Sequence, residues 1–99
     1  MTVTIVTARK GGTREAVTAA TGKLRDAMMR NGAAEVNLSR IMAGPDTDHW
    51  VIRILFADWT GFGKAAQAAS GNSSMQAAVA GLDAISEVVS RRILVGVDL

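Results

Sequence analysis

A chain of 99 residues is sized for one compact domain, here expected to span residues 1–99. An apolar content of 48% excludes a disordered chain, and the absence of cysteine excludes a disulfide framework and thiolate chemistry. The formal charge is only +2, no Lys/Arg run exceeds two residues, and the four aromatic side chains supply no stacking platform, so no nucleic-acid partner is expected.

The start, Met1-Thr2-Val3-Thr4-Ile5-Val6, has neither the basic region nor the apolar core of a signal peptide. No stretch is long and apolar enough to span a bilayer, so a cytoplasmic protein with no membrane partner is expected. Thr2–Ala8 is rich in β-branched residues and reads as the first strand. Gly11-Gly12 ends it. Over Thr13–Asn31, Val17, Ala20, Leu24, Ala27 and Met28 recur at three- and four-residue spacing and predict an amphipathic helix. Gly12 or Thr13 can cap its start, and Asn31-Gly32 is a good stop.

Glu35–Ala43 predicts a second strand and His49–Ala57 a third. Gly44-Pro45-Asp46-Thr47-Asp48 joins them as a turn, so the pair is an antiparallel hairpin. The third strand is nearly continuous in apolar character (Trp50, Val51, Ile52, Ile54, Leu55, Phe56), which suits a central strand buried on both faces. Asp58 or Thr60 opens a further helix. Ser70-Gly71-Asn72 interrupts it, and Ser73 with Gln76 forms a capping-box pattern that restarts it. Val88–Val97 is the last strand. The order βαββαβ, with right-handed crossovers, predicts an α+β, ferredoxin-like fold. Its four-stranded antiparallel sheet carries the helices on one face, with the first and third strands central.

Several segments resemble the dimeric α+β barrel superfamily: Gly44-Pro45-Asp46-Thr47, Phe56-Ala57-Asp58-Trp59, Thr60-Gly61-Phe62-Gly63-Lys64-Ala65-Ala66, Met75-Gln76-Ala77 and Val89-Ser90-Arg91. The flavour is that of small bacterial proteins related to antibiotic-biosynthesis monooxygenases and NIPSNAP-like domains. The resemblance implies a homodimer in which two helix-free sheet faces pack together. It also implies a small-molecule cleft between each sheet and its helices. Members oxidise aromatic polyketides without a cofactor, degrade heme, isomerise lactones or act on chlorite, and many have no known reaction. Heme-degrading relatives use a histidine on the second helix; this chain has none between Thr60 and Leu82.

Strand parity sorts the candidate residues. Met28, Arg40, Trp50, Phe56, Trp59 and Phe62 are the candidates for the ligand cleft. Asn37, Ser39, Arg53 and Arg92 are the candidates for the barrel interior, where a buried arginine needs a partner. Cofactor-free oxygenase relatives combine polar side chains with a tryptophan in the cleft. Asn37 and Trp50 are right in type but fall on opposite faces. His49 lies beside Asp46 and Asp48, and the three read as a solvated turn rather than a metal site. The residues themselves call for no cofactor and name no catalytic group. The expectation is a homodimer that binds a small apolar molecule, with cofactor-free oxygenation or isomerisation as the implied chemistry. The alternatives are a non-catalytic dimerisation module and a monomeric ferredoxin-like domain.

Overall fold

The structure, a computed structural model, describes all residues from Met1 to Leu99. Its elements run β1 (Val3–Lys10), α1 (Arg14–Arg30), β2 (Glu35–Arg40), β3 (Trp50–Phe56), α2 (Trp59–Gly71), α3 (Ser73–Asp83) and β4 (Glu87–Val95). The strands form one antiparallel sheet in the order β2-β3-β1-β4. This is the α+β, ferredoxin-like βαββαβ arrangement, with β1 and β3 in the centre.

Local chemistry sets the element ends. Thr13 caps α1, its hydroxyl accepting from Ala16 N at 3.2 Å. Asp58 caps α2, accepting from Gly61 N at 3.0 Å. The break between α2 and α3 falls at Asn72, whose side chain accepts from Met75 N at 3.0 Å. Asn72 therefore takes the capping role that the sequence pattern suggested for Ser73. Gln76 reaches back to Ser70 O at 3.1 Å instead of closing a capping box. In the β2–β3 connection Asp46 and Asp48 both adopt positive φ, at 63° and 73°. Aspartate tolerates that region better than most residues, which is a structural reason for both.

The core lies between the sheet and the helices. Val3 and Ile5 of β1, and Ile52, Ile54 and Phe56 of β3, face Leu24, Ala27 and Met28 of α1. Ala65 of α2 and Met75, Ala78 and Leu82 of α3 close the layer. Alternation then puts the intervening residues on the helix-free face. There Val51 and Leu55 are half-buried and Arg53 is exposed. Strand β4 differs from the rest. Eight of its nine residues are exposed on this edge of the sheet.

Gly32 and Gly61 let the α1–β2 turn touch the start of α2. Gly32 has φ of +113°, and a Cβ there would meet Gly61 O at 2.6 Å. A Cβ on Gly61 would meet Gly32 O at 2.7 Å, so each position accepts only glycine without a backbone shift.

Candidate functional site

The helix-covered face is not filled. A half-open cleft of about 120 Å³ lies between the sheet and helices α1 and α3. Ile5, Ile52 and Ile54 form its floor, with Leu24 and Met28 on one wall and Val79 and Leu82 on the other. Its polar groups are Thr7, Arg9 and Arg91. A second hollow of about 70 Å³ adjoins it, sharing Ile5, Met28 and Arg91 and extending to Phe56, Phe62 and Ala65. Protein interiors are normally packed with few voids larger than water. The two adjoining hollows, both partly open to solvent, leave this layer less completely filled.

The backbone explains how two arginines reach the cleft. Residues Val3, Ile5, Thr7 and Arg9 share one face of β1. Thr7 pairs with Arg91 and Ile5 with Ile93, so Arg91 lies on the helix side of β4. The register then shifts between Ala8 and Arg9: Ala8 pairs with Ser90, Arg9 with Val88, and Val89 is the extra residue of a β-bulge. Arg9 is 6% exposed. Its Nη1 donates to Asp83 Oδ1 at 2.9 Å and to Ser86 Oγ at 3.2 Å, while its Nε is buried without an acceptor.

The candidates for the ligand cleft fall into three places. Met28, Phe56 and Phe62 come together at the adjoining hollows. Trp59 is 51% exposed and outside them. It stacks edge-on against Phe62 at 5.3 Å between centroids, and Phe62 against Phe56 at 5.6 Å, a chain of rings from surface to core. Arg40 and Trp50 lie in the same cross-strand row as Arg9 but towards the β2 edge, around a separate broad surface hollow that also includes Arg14, Leu38 and Met42. The Arg40 guanidinium sits 4.9 Å from the Trp50 ring centroid, a cation–π contact, and pairs loosely with Asp48 at 3.7 Å.

Asn37, Ser39, Arg53 and Arg92 lie on the helix-free face. One row across the sheet runs Asn37, Arg53, Val6, Arg92, and Ser39 lies in the next row beside Val51 and Ala8. His49 Nδ1 is 3.7 Å from Asp46 Oδ1, and no cluster of three metal-ligating side chains occurs.

Thr7, Arg9 and Arg91 are cleft residues that strand reading did not single out. For Arg91 the signal was present: alternation from Ile93 places Arg91 opposite in sense to Arg92. For Arg9 it was obscured, because Arg9-Lys10-Gly11-Gly12 resembles the exit from a strand, whereas β1 continues to Lys10.

No family model matches the sequence, and no curated protein matches it either. Solved structures do share its fold. One is SnoaB, a cofactor-independent oxygenase from Streptomyces nogalater, at 17% identity and a TM-score of 0.75 over 99% of this chain and 95% of that one. A protein from Chloroflexus aurantiacus, provisionally described as an antibiotic biosynthesis monooxygenase, gives 17% identity and 0.67 over the same shares. A dimeric protein of unknown function with a ferredoxin-like fold, from Bacteroides fragilis, gives 14% identity and 0.55 over 94% and 92%. At these identities the likeness shows the fold alone, an α+β ferredoxin-like architecture.

Proposed function

We propose that the protein is a cytoplasmic homodimer that takes a small, largely apolar molecule into the cleft between its sheet and helices. The observation that carries this reading is the unfilled apolar hollow over Ile5, Ile52 and Ile54. An apolar cavity of about 150 Å³ accepts a benzene ring, so a space of this scale suits one ring or a short chain. Met28, between the two hollows, has the flexibility to admit a longer molecule. The polar groups at the wall are one hydroxyl and two guanidiniums. Such donors stabilise negative charge on a substrate oxygen and do not abstract protons. That suits cofactor-free oxygenation or isomerisation of an easily ionised molecule, and the cofactor-independent oxygenase with the same fold supports that chemistry.

The second copy would cover what one chain leaves bare. Ile93, Leu94 and Val95 of β4 are 49, 49 and 39% exposed on a nine-residue edge strand. A long apolar edge invites association unless it is covered. Leu94 shares the helix-free face with Leu55, so packing that face against its copy would bury both. A protein of the same fold described as dimeric supports a dimer.

Native mass spectrometry across a dilution series tests the reading. A persistent dimer that gains the mass of an added small apolar ligand, one per chain, is the expected result. A dimer that takes up none would leave a non-catalytic association module, and a monomer at low micromolar concentration would remove the interface.

A further inference from the structure

Arg9 is the residue of the cleft wall that packing alone does not account for. An arginine is charged at any ordinary pH and carries five N–H donors. Its side chain here is 7% exposed. Both bonds found for it use Nη1, to Asp83 and Ser86. The Nε–H is buried with no acceptor in the protein. Ser86 is held in turn by its own donation to Leu82 O at 2.7 Å. Alternation along β1 puts Arg9 on the cleft side of the sheet with Ile5 and Thr7, opposite Val88. A buried guanidinium that engages only one of its nitrogens is under-satisfied and keeps donor capacity for a further acceptor.

The charge around it points to what that acceptor is. The cleft wall holds two guanidiniums and no carboxylate. Asp83, which pairs with Arg9, is 58% exposed and lies outside the wall, so water weakens its neutralising effect. An oxyanion in the cleft would face two cations across apolar surroundings, where charge-assisted hydrogen bonds are strongest.

We infer that Arg9 is a ligand-binding residue, and that the molecule bound in the cleft carries an oxyanion which pairs with the Arg9 guanidinium while its apolar body lies along Ile5, Leu24, Met28 and Ile54. A carboxylate is the simplest such group. The inference rests on the cleft being a binding site, and its test separates the two claims.

Hexanoate and 1-hexanol share an apolar chain and differ at the head. Each is titrated into the isotope-labelled full chain, and affinity is read from amide shifts around the cleft. Hexanoate is expected to bind at least about ten-fold more tightly than 1-hexanol. Arg9→Met should abolish that preference and leave 1-hexanol within about two-fold of its original affinity. Asp83→Asn, which removes the competing carboxylate, should strengthen hexanoate binding alone. If Arg9→Met does not fold, Arg9→Lys serves, because it keeps a cation but deletes the planar guanidinium, and it should reduce the preference. Equal affinity of the two probes for the unmodified protein overturns the inference while leaving the cleft reading intact. So does a preference that survives Arg9→Met and disappears in Arg91→Met. Binding of neither probe overturns both.

Discussion

Two methionines of the core offer a paired test of the unfilled cleft. Met28 and Met75 are 9% and 0% exposed, and both belong to the same apolar cluster. Met28 borders both hollows, whereas Met75 lines neither. Truncation to alanine removes Cγ, Sδ and Cε from each. At about 0.8 kcal/mol per buried group, the transfer contribution is roughly 2.4 kcal/mol in both cases. The second contribution differs. Around Met75 the truncation creates a new void, which should bring the total to about 4 kcal/mol, within the ~2–5 kcal/mol range of such changes. Met28 already has empty space on one side and so fewer contacts to lose, and its truncation should cost little beyond the transfer contribution, about 2.5 kcal/mol. Urea unfolding at one fixed protein concentration measures both. The expected midpoints fall in the order wild type, Met28→Ala, Met75→Ala, with unchanged slopes. Equal losses, or a larger loss for Met28→Ala, would mean that the space beside Met28 is filled and would refute the cleft.

Further outcomes follow from single contacts. Asp58→Ala removes the acceptor for Gly61 N at the start of α2 and should cost about 1 kcal/mol in chemical denaturation. Gly32→Ala places a Cβ against Gly61 O in a positive-φ turn and should destabilise by more than about 1 kcal/mol. Gly81→Ala, in helix α3 with open space at its Cβ, should stabilise by about 0.5–1 kcal/mol, so thermal melts of the two variants should move in opposite directions. Leu94→Lys adds a charge to an already exposed position. It should leave the monomer folded but weaken self-association by at least about 100-fold, measured by sedimentation, because a two-fold interface receives the buried charge twice.

The order of elements was legible because each segment carries a strong period. The alternation through Trp50, Ile52, Ile54 and Phe56 placed β3 and its faces, and Ser70-Gly71-Asn72 marked the break between α2 and α3. The cap there was assigned one residue late, since Asn72 and Ser73 are both good caps and only the backbone decides between them. The cleft was less legible. Met28, Phe56 and Phe62 meet because helix and strand periods converge on one layer. Arg40 and Trp50 share the correct face, and Trp50 is the cross-strand neighbour of Arg9, but parity does not encode position across the sheet, and the two line a separate hollow towards the β2 edge. The register that pairs Thr7 with Arg91, and so brings Arg9 and Arg91 to the same cleft, is announced by no local residue pattern, and neither is the bulge at Val89.

Methyl NMR of the five methionines tests the central claim most directly. Met28 borders the cleft; its sequence neighbour Met29 is 47% exposed, and Met42, beside the Trp50 hollow, is 85% exposed. On addition of a small apolar ligand such as 1-hexanol, the account predicts a saturable shift of the Met28 methyl and ligand contacts to it, with Met29 and Met42 unmoved. A response at Met42 would place binding at the Trp50 hollow, and no response at Met28 would contradict a binding cleft between sheet and helices.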